Sequence, residues 1–315
     1  MAKALSPIYL LITSRGGSQT TPTQTVHVHT NNIEIETNSI RLNVVQAGPD
    51  DGPLVILLHG FPEFSYGWRH QIPSLADAGY QVWAPDQRGY NLSDKPEGIA
   101  AYGLDQLAND VAGLIDAAGR KQAYVAGHDW GGAVAWWLAA KHPERVAKLV
   151  ILNVPHGAVI QQHLRGNFTQ LRKSWYFFAF QIPWLPETLA RRRNWQLATQ
   201  ALLNSSRPGT FTAEDLDHYR RAWSQPHAFR SMINWYRAMI QKPPAPPSSK
   251  RITVPTLLIW GAQDKFLGPE MAQPSIDLCQ NGRLMIIKEA THWVQHEEPQ
   301  RVNELISTFL IEEDR

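Results

Sequence analysis

The chain has 315 residues, 43% of them hydrophobic and 18% charged, and its thirty Lys and Arg against twenty-eight Asp and Glu leave a formal net charge of +2. This composition excludes a disordered chain, and so small a surplus of positive charge gives no field for a nucleic-acid partner. A single cysteine, Cys279, excludes an internal disulfide and points to a reducing compartment, so a cytoplasmic location is expected.

Residues 1–25 hold a short apolar stretch, Ile8 to Ile12, and a Thr/Gln/Ser-rich run from Ser18 to Thr25. They lack both the roughly 20 apolar residues of a membrane helix and a small-residue cleavage site, so a disordered leader is expected and no membrane partner. Residues 26–154 read as the first part of a core domain. Ile33 to Glu36 and Ile40 to Val45 suggest an antiparallel hairpin. Leu54 to Leu58, Gln81 to Ala84, Ala123 to Ala126, Leu149 to Leu152 and Thr256 to Trp260 read as strands buried on both faces, with Leu284 to Ile287 a sixth. Helical spacing marks Leu104 to Ala118, Gly132 to Lys141 and Arg301 to Ile311. Strands alternating with helices predict an α/β fold with a mostly parallel central sheet.

The rhythm breaks at residues 155–249, where no buried-strand run occurs and Trp, Arg and helical patterns dominate before Pro243-Pro244-Ala245-Pro246-Pro247. A structureless loop of that length is implausible inside a domain. A helical domain inserted between two core strands is expected, with the prolines as a stiff return strap and residues 250–315 completing the core. The chain also carries twelve tryptophans, enough to line something large and apolar. Trp130, Trp175, Trp184, Trp195, Trp223, Trp235 and Trp293 are expected around a cavity, and Trp68, Trp83, Trp136, Trp137 and Trp260 in the core.

Ala123-Tyr124-Val125-Ala126-Gly127-His128-Asp129-Trp130-Gly131-Gly132 is a strand running into Gly-x-Asp-x-Gly and then a helix. Small residues flank a side chain there when the chain turns sharply and the side chain must stand clear. Asp129 occupies the place usually held by serine. A carboxylate needs no base to deprotonate it. It attacks saturated carbon well, whereas attack on an ester or amide carbonyl yields a reactive anhydride, so esterase, lipase and peptidase chemistry are disfavoured. The loop Leu58-His59-Gly60-Phe61-Pro62 follows the first buried strand, and the backbone N–H groups of Phe61 and Trp130 are the expected oxyanion donors. After the insertion, Asp264 and then His292 each lie just past a buried strand, where open α/β sheets build sites. Asp264 is expected to orient His292, and His292 to take a proton from water. No His-Glu-x-x-His, Gly-x-Gly-x-x-Gly or phosphate loop occurs, so neither metal nor cofactor is expected.

These strings, with His59-Gly60-Phe61-Pro62-Glu63, Asp86-Gln87-Arg88-Gly89-Tyr90, Ser93-Asp94-Lys95-Pro96 and Asn153-Val154-Pro155-His156, resemble the α/β-hydrolase family from about residue 30 onward, and within it most closely the epoxide hydrolases. The resemblance implies a helical cap over the site and two cap tyrosines that hold the epoxide oxygen. Tyr176, in Ser174-Trp175-Tyr176, and Tyr236, in Asn234-Trp235-Tyr236-Arg237, match those positions. His59, Pro62, Trp175, Trp235 and Trp293 are expected to wall the substrate pocket. The implied activity converts a small apolar epoxide and water to a vicinal diol through a covalent ester on Asp129. Haloalkane dehalogenases share the aspartate elbow but usually carry Asn where this chain has Phe61. Fluoroacetate dehalogenases usually carry Arg where it has Trp130. A hydrolase-fold binding protein without turnover is the remaining alternative. Tyr219, in a charged stretch, is expected at the surface, as is the run Arg191-Arg192-Arg193. Glu63 either contacts water near the site or faces solvent. Exposed aromatics on the cap are compatible with a homodimer.

Overall fold

The computed structural model describes residues 29–166, 172–173 and 175–312; the leader expected at residues 1–25 lies outside them. Eight strands form one sheet: β1 (Asn31–Thr37), β2 (Ile40–Ala47), β3 (Leu54–Leu58), β4 (Gln81–Pro85), β5 (Ala123–His128), β6 (Val146–Leu152), β7 (Thr256–Gly261) and β8 (Gly282–Ile287). Their order is β1-β2-β4-β3-β5-β6-β7-β8. The β1–β2 hairpin and the β2–β4 pair are antiparallel, and every pair from β4 onward is parallel.

Alternation along each strand divides the core into two layers. On one face Leu54, Ile56 and Leu58 of β3 meet Leu107, Val111 and Leu114 of the helix Leu104–Ala117 and Val134 and Leu138 of the helix Trp130–Lys141. On the other, Val55 and Leu57 meet Ile72 and Leu75 of the helix Gln71–Asp77 and Val302, Ile306 and Phe309 of the helix Pro299–Ile311. Helices on both faces explain why the central strands read as unbroken apolar runs. β8 differs from the expected buried strand. It forms the sheet edge, with no ninth strand beside it among the described residues, and Ile286 remains 42% exposed.

The insertion leaves after β6 and returns to β7, which pairs directly with β6. Among the described residues its helices include Gly157–Gly166, Trp175–Ala179, Leu185–Ser205, Ala213–Trp223 and Ala228–Gln241. The third breaks its helical geometry from Arg192 to Trp195, and the run Arg191-Arg192-Arg193 is exposed there, as expected. The proline strap has no regular structure. Parallel register aligns Leu58 with Gly127, Gly127 with Ile151, Leu152 with Ile259 and Gly261 with Ile287. The loops that carry Asp129, Asp264 and His292 therefore leave the carboxyl ends of the parallel strands, beneath the insertion.

Candidate active site

β5 ends at His128, Asp129 turns with φ 49° and ψ −121°, and the helix Trp130–Lys141 begins at once. Such a left-handed residue costs about 1–3 kcal/mol and persists only where its surroundings enforce it. Glycine makes the turn possible: a Cβ on Gly131 would lie 2.1 Å from the Leu58 carbonyl oxygen, and one on Gly60 2.5 Å from the Asp129 Cβ. The Phe61 amide donates to Asp129 Oδ1 at 2.9 Å. His292 Nε2 stands 3.5 Å from Oδ2. Burial alone would raise the Asp129 pKa, but His292, His128 and the Phe61 amide overcome it and hold the carboxyl below its ordinary value. The amide of Trp130 is the first of the helix that starts beside this carboxylate, where the helix dipole also favours an anion.

The imidazole of His292 is fixed from behind. Its Nδ1 lies 2.7 Å from Asp264 Oδ2, which also accepts from Asn153 Nδ2 at 2.9 Å. The amides of Phe266 and Leu267 donate to Asp264 Oδ1 at 2.7 and 2.9 Å, so both carboxylate oxygens are held. Asn153 has φ 49° and accepts the Gly261 amide through Oδ1 at 2.9 Å, which ties the end of β6 to the end of β7. Burial disfavours a charged imidazole, yet the Asp264 and Asp129 carboxylates push the His292 pKa up to about 10. This electrostatic setting favours a charged imidazole at His292 beside an ionised Asp129 carboxylate.

Above this group lies a cavity of about 770 Å³ walled by Phe61, Pro62, Phe180, Phe229, Phe266 and Trp293. Asp129, His292, Tyr176 and Tyr236 all face it. The two tyrosine rings meet edge to face at 5.9 Å. Tyr236 also packs against Phe61 at 5.1 Å and Trp130 at 4.9 Å. Burial and then the Asp129 charge raise both phenol pKa values, so both hydroxyls stay protonated as donors. A second cavity, of about 570 Å³, opens toward the strap and is lined by Trp130, Trp136 and Trp137.

Several expected wall residues take other places. His59 is buried under the loop: its Nε2 accepts the Gln87 amide at 3.0 Å and its Nδ1 donates to the Gly60 carbonyl at 3.0 Å, so it braces the turn. Trp235 points about 100° around its helix from Tyr236, donates to the Arg88 carbonyl at 3.1 Å and packs on Tyr90 behind the site. Trp175 reaches the larger cavity only at its rim and is 65% exposed. Trp184 is 75% exposed and away from it; Trp136 lies in the core as expected with Trp137 packed against that core, and both also line the second cavity. Pro62 and Trp293 line the larger one.

Tyr219 is buried, against expectation, and Glu63 is buried too, so of its two alternatives the solvent-facing one is ruled out. The helix Ala213–Trp223 exposes its charged side and turns Leu216, Tyr219 and Trp223 inward. Tyr219 donates to Glu63 Oε1 at 2.7 Å, and His296 Nε2 donates to the same oxygen at 2.7 Å. Arg69 donates to His296 Nδ1 at 2.8 Å, which fixes that tautomer. The other oxygen, Oε2, accepts from Gln295 at 3.2 Å and lies 3.2 Å from His128 Nδ1. His128 Nε2 in turn reaches the His292 carbonyl at 2.8 Å. Although burial opposes it, His296 and His128 keep the Glu63 carboxyl well below its ordinary value. A polar knot thus joins the insertion to the loops on either side of Asp129. Its one sequence signal was Glu63 directly after His-Gly-Phe-Pro. Among the described residues no group of three His, Cys, Asp or Glu side chains is placed to hold a metal ion, and no helix is long and apolar enough to cross a membrane.

A sharp strand–Asp–helix turn, an adjacent amide donor and a histidine backed by an acid, all at one edge of a mostly parallel sheet, define the site of an α/β hydrolase. A profile of the alpha/beta hydrolase fold matches residues 53–299, and the chain belongs to that family. It is 48% identical over 276 residues to the AB hydrolase superfamily protein YfhM of Bacillus subtilis, covering 88% of this chain and 96% of that protein. It is 39% identical over 289 residues to epoxide hydrolase 4 of Homo sapiens, covering 90% and 79%. The crystal structure of the Bacillus megaterium epoxide hydrolase in complex with an inhibitor matches with a TM-score of 0.81 at 32% identity, covering 89% of this chain and 100% of that one.

Proposed function

We propose that the protein hydrolyses an apolar epoxide to a vicinal diol in two steps. The observation that carries this reading is one cavity bounded by a carboxylate, a histidine and two phenols, with the Asp129 oxygens in different surroundings. Oδ2 attacks a ring carbon as the carbon–oxygen bond breaks, and a proton from Tyr176 or Tyr236 passes to the departing alkoxide. Oδ1, held by the Phe61 amide, becomes the carbonyl oxygen of the resulting ester. Alkylation removes the Asp129 charge, one of the two anions holding the proton on His292, so the imidazole gives up that proton, which passes through water to restore the phenol that protonated the alkoxide, and His292 can then act as base. Water then gives a proton to His292 and adds to the ester carbonyl carbon. The amides of Phe61 and Trp130 stabilise the oxyanion; its collapse breaks the bond to the diol oxygen, which takes the proton of the newly formed Asp129 carboxylic acid, so the diol leaves with Asp129 ionised and His292 protonated as at the start. The helical insertion serves as the cap that keeps bulk water from the ester. The naming of similar proteins as epoxide hydrolases supports this reading. A halide-binding alternative lacks support, since the Phe61 side chain has no donor.

Intact-mass measurement tests the scheme. The His292→Gln variant, mixed with styrene oxide, is expected to accumulate an adduct of substrate mass on the peptide containing Asp129. Full diol production with no adduct would overturn the roles of Asp129 and His292.

A further inference from the structure

Among the described residues eleven large apolar side chains are exposed, and seven of them fall between Trp175 and Leu203 in the insertion. Scattered exposure is ordinary, but a cluster of this kind marks a contact surface. Trp175 is 65% exposed, Phe178 58% and Trp184 75%. Trp175, Ile182, Leu185 and Leu197 are exposed and also line the larger cavity, so they mark where it opens to solvent. The cluster therefore includes the mouth of the site.

The same stretch is basic. From Arg172 to Leu197 the chain holds five cations, Arg172, Lys173, Arg191, Arg192 and Arg193, against one acid, Glu187. That acid is already paired with Arg237 at 2.7 Å. The surplus of four exceeds the net +2 of the whole chain, so the remainder is slightly acidic and the positive charge is concentrated here. Arg172 and Lys173 line the cavity mouth. Arg191 lies six residues beyond Leu185, roughly 9 Å along the helix. Helical geometry then breaks, with Arg193, Asn194 and Trp195 at φ 49°, 52° and 65°. The break leaves the three arginines exposed and Trp195 buried.

We infer that this face of the insertion docks on the surface of an anionic lipid bilayer, with the cavity mouth against the interface. Tryptophan is favoured at the depth of the headgroups, and arginine beside it is drawn to anionic lipid. A contact of this kind lies in the interface and needs no spanning helix, so the lack of one among the described residues does not oppose it. The expectation of no membrane partner then holds for spanning alone. A second copy of the chain fits the patch less well. In a two-fold contact the same surface meets itself, and its cations would face cations. The docking does not depend on the epoxide reading; it gives an apolar substrate dissolved in the acyl layer a route to the cavity that avoids bulk water.

Cosedimentation of the full chain with vesicles tests the docking. The protein is expected to sediment with mixed phosphatidylcholine–phosphatidylglycerol vesicles at low salt, to bind pure phosphatidylcholine vesicles far more weakly, and to be released by added salt. The combined Arg191→Gln, Arg192→Gln and Arg193→Gln variant should bind the anionic vesicles about 100-fold more weakly, from the usual effect of each cation near such a surface. Trp184→Ser, away from the cavity, should weaken binding about tenfold, the scale of burying one large side chain. All four positions are exposed, and circular dichroism checks that both variants fold. No sedimentation with anionic vesicles, equal binding to the two vesicle types, or unchanged binding in the folded variants overturns the inference. So does a wild-type dimer in analytical ultracentrifugation that Trp184→Ser dissociates, since a second copy then covers the patch.

Discussion

In the core, each reactive side chain sits just past a strand end and is fixed by backbone. Asp129 follows β5 directly and receives the Phe61 amide, while Asp264 follows β7 and receives the amides of Phe266 and Leu267. In the insertion, Tyr176 and Tyr236 sit on helix faces and are positioned by ring packing against Phe177, Phe180 and each other. Hydrogen-bonded loops hold an atom to tenths of an ångström, as charge transfer to a fixed carbon requires. Aromatic packing tolerates exchange of shape. The proposed nucleophile and base are therefore held by backbone hydrogen bonds, and the proposed proton donors by side-chain packing.

That contrast makes ordered predictions. Asp129→Ala should lower diol formation about 10⁴-fold or more, because no other group can replace the nucleophile; residual activity within tenfold of wild type would break the assignment. Replacing both Tyr176 and Tyr236 by Phe should cost about 10²–10⁴ in kcat, the usual range for a lost proton donor. Each single change should cost less, since either phenol can supply the proton. Stopped-flow measurement of ester formation separates this from an effect on hydrolysis.

Between the two regions, Glu63→Gln should destabilise the fold by about 3 kcal/mol or more, read from urea unfolding, by breaking a buried charged network on one side. The Glu63 carboxyl lies well below its ordinary 4.5 in the fold, so its contribution is present above that pH and lost as pH falls. His292 works in the opposite sense. Its folded pKa of about 10 lies above the ordinary 6.5, so it stabilises fully below pH 6.5 and the gain disappears as pH rises toward 10. The melting temperature of wild type should therefore fall more steeply over that window than that of His292→Gln.

The core was legible because strands covered on both faces leave unbroken apolar runs, and because Gly127, Gly131 and Gly132 mark the turn at Asp129. Asp264 and His292 followed from their places after such runs. β8 misled because an apolar run does not reveal whether a neighbour lies beside it. Glu63 and His296 were missed because residues 233 positions apart meet only in the fold. Tyr219 was misread because its charged neighbours occupy the opposite side of one helix. Trp235 and Tyr236 are adjacent in the chain, yet one braces the core and the other faces the cavity, a distinction set by the rotation of the helix.

Both ends of the insertion attach to β6 and β7, strands that already pair with each other. Their spacing is set by the sheet, so the segment from Gly157 to Gln241 can change length or sequence without parting them. A gene library confined to that single continuous stretch, or an exchange of the whole stretch between relatives, should diversify what enters the cavity while Asp129, Asp264 and His292 descend unaltered in every clone.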